Sequence, residues 1–432
     1  MPSAKLHPHP HPARRRAWGL TLLIAAALLF TGGPLPAVAA PQAGPTDLTV
    51  EELRLTQAVP QDILRRSGYG DAGPALDTAL RQTQSVAAAE AVVAQHGLQL
   101  WKRAVNQARG LTPVVGDLSK EDDRPLYWAR LAMSKVLRQW QPVFGLSDAS
   151  RTALLDKLEI SSRGQDSVSW EPLPPDQPWK LNKIVLTGFD PFGLSGDIRA
   201  SNPSGAAALA LDGELVLSDN GRFFRIETIM LPVRWKDFTE GTVERALSEP
   251  IARADMFFTV SQGRPGRFDL ENYNGAWRGG ALDNENASST GLIPVSDPAT
   301  QPQWTASTHS HPFIVSVNSG RFPVYNNTQV TEIPVLSPPG TAPVVRPNGP
   351  SSVWSTARAG SGGDFLSNEV AYRATLLRDR MGRSGMPGGH VHTPVLEFGS
   401  GAVTDAQLVR NRQDILAQLH RIIRVAGAAP LP

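Results

Sequence analysis

The chain has 432 residues, a formal net charge of +2 and no cysteine. Its length allows two globular domains, and an apolar content of 41% lets each bury a core. The near-neutral charge, without a basic stripe interleaved with aromatic residues, argues against nucleic-acid binding. The lack of cysteine excludes disulfides and a thiol nucleophile.

The first 40 residues have the pattern of a signal peptide. Arginines 14–16 precede an apolar run at residues 18–30, and Ala37-Val38-Ala39 is a small-residue cleavage signal. We therefore expect an exported or secreted protein cleaved near Ala39. An uncleaved anchor is the alternative, and the paired arginines leave Sec and twin-Arg export both open. The remaining chain has no apolar run long enough for a stable membrane span.

Residues 41–170 are predicted to form a helical bundle. A plausible N-cap at Thr49 precedes two glutamates, and apolar residues recur at helical spacing over residues 75–97, 98–110 and 123–140. Glycine- and proline-containing breaks separate these stretches, which indicates four or five helices. Helices of this kind usually pack on one another or on a neighbouring domain.

Residues 171–180 are dense in proline, and we interpret them as a linker. Strands and helices alternate in residues 181–432, with strands predicted at 183–189, 225–233, 255–260 and 390–397 and helices at 204–211, 235–248, 369–381 and 405–425. This alternation predicts an α/β fold, a three-layer α/β/α sandwich with a mixed sheet, preceded by a smaller all-helical domain. Catalytic loops are then expected at the carboxyl ends of strands.

Residues 291–360 are rich in Pro, Ser, Thr and Gly and are interpreted as a β-rich insertion or a flap. Short β-like runs occur at 313–317 and 330–335. His309 and His311 lie in this segment, but two loop histidines without a nearby carboxylate or thiol are a weak ligand set. We therefore predict no metal.

Five short motifs in residues 181–432 point to a catalytic function. In chain order they are TGFDPFG at 187–193, NPS at 202–204, LPV at 231–233, GGDFLSNEVAY at 362–372 and GGHVHTP at 388–394. In sequence and order they resemble motifs of pyroglutamyl peptidase I (pyrrolidone-carboxylate peptidase). The resemblance implies removal of an N-terminal 5-oxoproline through an acyl-enzyme, without a cofactor.

The resemblance also implies a catalytic triad. Ser367 stands at the nucleophile position, His392 at the general base and acid, and Glu271 at the acid that orients the imidazole. The residues support these roles independently, because a serine at a helix start lies where partial positive charge favours an anion. A histidine at a strand end could accept the hydroxyl proton and return it to the leaving amine.

Four further residues are implied to bind the substrate. Phe189 and Phe192 would flank the flat lactam ring, and Asn202 and the loop at Gln262 would hydrogen-bond its amide. The Gln262 loop departs from the family pattern, and Arg278 is displaced from the acidic Asp283-Asn284 pair. A peptide or small amide substrate is expected; no oligomeric state is specified.

The family has cysteine where this chain has Ser367. A serine hydroxyl must lose its proton during the attack, whereas a cysteine can be held as a thiolate. Two main hypotheses follow: a hydrolase with a serine nucleophile, or a catalytically inactive binding module for blocked N-termini or cyclic amides. A third is an interaction protein whose helical domain docks a partner.

Overall fold

The computed structural model describes residues 44–170, 180–317 and 319–429, which belong to one compact unit. The predicted signal peptide and the predicted linker, apart from Lys180, lie outside the described residues. The order of elements confirms an α/β fold with a mixed sheet that follows a helical region.

Three helices of the N-terminal helical region begin at a residue whose side chain caps them. Its helices are α1 (Val50–Leu53), α2 (Ala58–Ser67), α3 (Ala72–Leu80), α4 (Val86–Ala108), α5 (Arg124–Gln139) and α6 (Asp148–Ser161). Thr49 and Glu52 form a capping box at α1. The side chains of Ser85 and Ser147 accept backbone hydrogen bonds at the starts of α4 and α6.

The helical stretches at residues 75–97 and 98–110 are not separate helices, because α4 runs through Gly97 without interruption. A Cβ atom at Gly97 would lie 2.9 Å from Cβ of Ser161 in α6. Glycine is therefore needed here for the close approach of two helices. Such a glycine cannot be distinguished from a helix terminator by its sequence neighbours alone.

The strands after the helical region form one large sheet and three small ones. They are β1 (Leu181–Phe189), β2 (Leu215–Leu217), β3 (Phe223–Leu231), β4 (Met256–Gln262), β5 (Phe268–Glu271), β6 (Tyr273–Gly275), β7 (Trp277–Gly279), β8 (Thr290–Leu292), β9 (Trp304–Ala306), β10 (Val324–Asn327), β11 (Val330–Ile333), β12 (Val344–Arg346), β13 (Thr356–Ala359) and β14 (Gly388–Thr393). The large sheet has the order β10-β5-β14-β4-β1-β3-β2. Strands β14, β4, β1 and β3 are parallel to one another. Strand β2 pairs antiparallel with β3, and β5 pairs antiparallel with β14 but parallel with β10.

Helices cover both faces of the large sheet. They are α7 (Pro203–Leu211), α8 (Trp235–Thr239), α9 (Thr242–Arg253), α10 (His311–Val317), α11 (Leu366–Arg380) and α12 (Ala406–Ala428). Ile184 and Leu186 of β1 share a core with α7 and α12, and Val185 points to the opposite core with α9 and α11. The alternation along β1 thus builds the two apolar layers of the sandwich.

The helical region shares its apolar core with the α7 side of the sheet. Buried charges reinforce this contact at Asp190, the acidic residue of the TGFDPFG motif. One Asp190 oxygen accepts a hydrogen bond from Arg130 of α5, and the other accepts one from Arg163 at 2.6 Å. Asp190 and Arg130 are fully buried, so each depends on the other for charge compensation.

The β-like run predicted at 313–317 is wrong, because these residues belong to α10. Ile314 is buried where α10 packs on α12, and this contact outweighs the weak helix propensity of β-branched residues. The run at 330–335 does contain a strand, β11, which pairs with β12 and β13.

Candidate active site

One face of the large sheet carries a row of polar side chains from three neighbouring strands. His392 of β14 lies opposite Ser261 of β4 and Asp269 of β5, and His390 lies opposite Glu271. Because strand side chains alternate between faces, these residues all point to the side covered by α11. The predicted base and its acid thus come from adjacent strands.

His392 and Glu271 form a buried hydrogen-bonded pair. Nδ1 of the imidazole lies 2.7 Å from Oε1 of the carboxylate, and the two residues are 6% and 1% exposed. A carboxylate only accepts hydrogen bonds, so Nδ1 carries the proton in this pair. This tautomer leaves Nε2 free to accept a proton, as a general base requires.

Two glycines enclose the His392 ring. A Cβ atom at Gly263 would lie 2.6 Å from Cβ of His392, and one at Gly362 would lie 3.0 Å from its Cε1. The loop after β4 and the loop before α11 therefore both contact the imidazole. Larger residues at these positions would displace the ring.

Ser367 is the second residue of α11, immediately after this glycine loop. Its hydroxyl is half-buried and donates to the carbonyl of Gly362 at 3.4 Å. It makes no hydrogen bond to His392 in the described structure. Gly362 thus contacts both the serine and the imidazole, which places the three stretches predicted to form the triad in one neighbourhood.

The start of α11 is fixed by its next two side chains. Asn368 Oδ1 accepts from the amide of Gly275 at 2.9 Å, and its Nδ2 donates to the Gly275 carbonyl at 2.8 Å. Glu369 accepts two hydrogen bonds of 2.6 Å from Arg278, whose guanidinium lies over the ring of Trp235. Arg278, displaced in the sequence pattern, thus supports the helix that carries Ser367.

The two predicted ring-flanking phenylalanines occupy different environments. Phe192 is half-buried, and its ring centroid lies 5.1 Å from that of Phe365, two residues before Ser367. Phe189 is 3% exposed and stacks on Phe238 in the core. Phe192 therefore lies beside the serine segment, and Phe189 serves the core beneath it.

The two predicted amide-binding residues also differ. Asn202 is 2% exposed; its Oδ1 caps α7 through the Ser204 amide, and its Nδ2 donates to the Asp190 carbonyl at 2.9 Å. These contacts make Asn202 a buried part of the helix start. Gln262 is half-buried at the end of β4, opposite Thr393 of β14.

The other histidines near the sheet are buried, and burial favours their neutral forms. Burial and the neighbouring His392 lower the pKa of His390 well below its usual range, and its ring nitrogens contact Thr259 and Ser261 at 2.8 Å. Burial lowers the pKa of His309 to about 3 and that of His311 to about 4. Within the described ranges, no group of three or more His, Asp or Glu side chains is arranged to hold a metal ion.

Two family models match this chain. The model of the PA0049 N-terminal domain matches residues 36–159, and that of the PA0049 C-terminal domain matches residues 183–294 and 288–397. The chain belongs to the PA0049 family. Uncharacterized protein PA0049 of Pseudomonas aeruginosa is 30% identical to it over 437 residues, which cover 80% of this chain and 79% of the relative.

Among solved structures, pyroglutamyl peptidase I from Bacillus amyloliquefaciens matches this PA0049-family chain with a TM-score of 0.37 and 17% identity. The match covers 56% of this chain and 96% of the peptidase. Separately, none of the helices within the described residues has the length and apolar character needed to cross a bilayer.

One residue that contacts the triad positions in this PA0049-family chain was not predicted from sequence. Asn327, the last residue of β10, donates from Nδ2 to Oε2 of Glu271 at 2.8 Å. Its only sequence signal is a pair of asparagines at the end of a short run in the presumed insertion, a pattern that is equally typical of a turn.

Proposed function

We propose that this chain is an exported hydrolase that removes N-terminal pyroglutamyl groups, with Ser367 as nucleophile, His392 as base and acid, and Glu271 as orienting acid. The observation that carries the proposal is the 2.7 Å contact between His392 Nδ1 and Glu271 Oε1, beside the loop that leads into Ser367. The order of the five sequence motifs supports the same assignment.

The proposed reaction begins with attack of Ser367 Oγ on the carbonyl carbon that joins the 5-oxoproline to the next residue. His392 Nε2 takes the hydroxyl proton and gives it to the departing amine as the C–N bond breaks. Water then attacks the ester with His392 again as the base, which releases 5-oxoproline and restores the serine. Glu271 stabilises the imidazolium formed in each half.

The start of α11 would stabilise the charge that develops on the substrate oxygen. The first N–H groups of a helix have no carbonyl partner within the helix and carry partial positive charge. Leu366 and Ser367 supply such groups beside the nucleophile. Phe192, packed on Phe365, would contact one face of the lactam, and the Gln262 loop would reach its amide.

Before attack, the Ser367 hydroxyl must turn from the Gly362 carbonyl toward His392. Its present contact is 3.4 Å long and is therefore weak. Catalytic hydrogen bonds often become short only when the substrate is bound. Rotation about the serine Cα–Cβ bond releases the hydroxyl from the Gly362 carbonyl without moving the helix.

A second candidate, a binding module for blocked N-termini or cyclic amides, is favoured by that same serine contact. A hydroxyl held by a backbone carbonyl has no base to activate it. Phe192 and the Gln262 loop could still bind a lactam, because binding needs no proton transfer.

The test is an assay of the purified mature protein on a pyroglutamyl amide, with Ser367→Ala and Ser367→Cys made in parallel. Turnover by the wild type that disappears in Ser367→Ala supports the hydrolase. Silence in the wild type, with turnover in Ser367→Cys, supports the binding module, as does stabilisation by 5-oxoproline without turnover. If all three proteins are silent and no ligand stabilises them, both candidates fail.

Export is the part of the proposal supported by residues 1–40 alone, which lie outside the described structure. N-terminal sequencing of the protein recovered outside the cytoplasm should give a start near Ala39 or Ala40. Recovery of the full-length chain in the cytoplasm alone would refute export.

A further inference from the structure

The segment between Glu271 and Ser367 supplies a side chain to the candidate site. Asn327 ends β10, which pairs in parallel with β5 so that Asn327 lies directly opposite Glu271. Its Nδ2 donates to Oε2 of Glu271 at 2.8 Å and to the carbonyl of Ser361 at 2.8 Å. One amide group therefore joins the acid of the site to the loop that leads to the serine.

We infer that Asn327 is a positioning residue for the catalytic pair, an inference that rests on the proposed role of Glu271 and His392. Each oxygen of the Glu271 carboxylate has its own partner: Oε1 contacts His392 and Oε2 contacts Asn327. A carboxylate held at both oxygens cannot rotate about its last bond. The imidazole bound to it is then restricted in orientation as well.

The orientation of the Asn327 amide follows from its surroundings. Both neighbours of Nδ2 are acceptors, a carboxylate and a carbonyl, whereas Oδ1 accepts from the backbone amide of Gln329 at 3.3 Å. The reverse orientation would place an oxygen against two acceptors. The Asn327 amide donates to both groups at once, whereas an aspartate carboxylate of the same shape could donate to neither.

The second hydrogen bond extends this effect to the nucleophile. Ser361 precedes Gly362, which contacts the His392 ring and accepts from Ser367. Ser361 also exchanges hydrogen bonds with Tyr273, two residues after Glu271. Loss of the Asn327 side chain would free one side of this loop and the far oxygen of the acid simultaneously.

The neighbouring Asn326 provides a matched control. It lies one position earlier on β10, and its Oδ1 contacts His311 and Asn272 instead of Glu271. Asn326→Ala removes an equal number of atoms from the same strand. A general loss of strand stability would affect both variants, whereas loss of positioning would affect only Asn327→Ala.

The experiment compares Asn327→Ala, Asn327→Asp and Asn326→Ala in full-length mature protein. Turnover of a pyroglutamyl amide is measured in the serine or the Ser367→Cys background, whichever is active. The downfield proton NMR signal of the His392 Nδ1–H, assigned by its loss in His392→Ala, is recorded for each variant. That signal reports the imidazole–carboxylate contact whether or not the protein turns over substrate.

Asn327→Ala should lower kcat by about tenfold to a hundredfold, the range for a hydrogen bond to a charged group, with little change in KM. Asn327→Asp should lower kcat more than Asn327→Ala does, because it adds a carboxylate facing Glu271. The Nδ1–H signal should shift or broaden in both and persist in Asn326→Ala. In a Glu271→Gln background, Asn327→Ala should lower kcat by a much smaller factor than it does in the wild type, since both changes act through one group.

Three results would overturn the inference: an unchanged Nδ1–H signal in Asn327→Ala, equal effects of the Asn326 and Asn327 changes, or full additivity with Glu271→Gln. If Asn327→Ala does not fold, the isosteric Asp variant decides the same points. If no protein turns over substrate but Asn327→Ala loses the Nδ1–H signal, the absence of turnover refutes the proposed function. The loss of the signal then still supports the positioning role of Asn327.

Discussion

Substitution of Gly263 by alanine tests how closely the candidate site depends on the position of His392. The added Cβ would lie 2.6 Å from Cβ, 2.9 Å from Cγ and 3.1 Å from Cδ2 of that histidine. Carbon atoms in good contact are about 3.5 Å or more apart. The shortest of these contacts must therefore open by about 0.9 Å, and His392 Cβ, fixed to β14, can yield only by moving the strand or the loop.

We expect a shift of that size to lower kcat/KM by about a hundredfold, because displacement of a catalytic group by about 1 Å has that effect. The free energy of unfolding should fall by about 1–3 kcal/mol, as for other additions to a packed site. The assays are hydrolysis of a pyroglutamyl amide in the active background, urea unfolding and the Nδ1–H signal of His392.

Gly401→Ala is the control, since nothing lies within 4 Å of a Cβ at that position. It should retain activity, stability and the NMR signal. Were Gly263→Ala to keep full activity and an unchanged signal, the close contact would not govern the imidazole, and the argument from geometry would fail.

Three further predictions concern other parts of the molecule. Asp190→Asn should lower the free energy of unfolding in urea by about 3–5 kcal/mol, because Arg130 and Arg163 lose a buried counter-ion. The control Asp219→Asn removes an exposed pair with Arg424 and should lower it by less than about 1 kcal/mol. Burial raises the pKa of Glu51 to about 7, so its contribution to stability is full below about pH 4.5 and is lost as the pH rises toward 7. The free energy of unfolding of Glu51→Gln should therefore rise relative to that of the wild type between about pH 4.5 and 7, and a constant difference would contradict this. Phe192→Ala should raise KM for a lactam substrate by roughly tenfold, or about 1.4 kcal/mol, with a smaller effect on kcat, and an unchanged KM would remove Phe192 from the binding surface.

The periodic patterns of the sequence predicted the fold class correctly. Strand β1 alternates between two apolar layers, and α11 and α12 lie close to their predicted bounds. Errors arose where tertiary contacts outweighed local preference. Gly97 permits a helix contact inside α4, and Ile314 draws a β-branched run into a helix.

The sequence indicated Ser367, His392 and Glu271 as candidates, because the order of motifs can be read without a structure. Their hydrogen bonds could not be read in that way. The burial of Phe189 and Asn202 depends on side-chain direction at the ends of β1 and α7, which a motif does not specify. Asn327 lies opposite Glu271 only because β10 joins the edge of the sheet, a pairing between residues 56 positions apart.

The Asp190 ion pairs and the shared apolar layer have a practical consequence for protein engineering. A truncated chain beginning at β1 would lack both arginines that neutralise Asp190, and it would expose the side of α7 that now packs against α4. Such a fragment should aggregate when expressed alone. Attempts to obtain the α/β region alone should therefore retain the preceding helices, or supply them as a separate polypeptide during refolding.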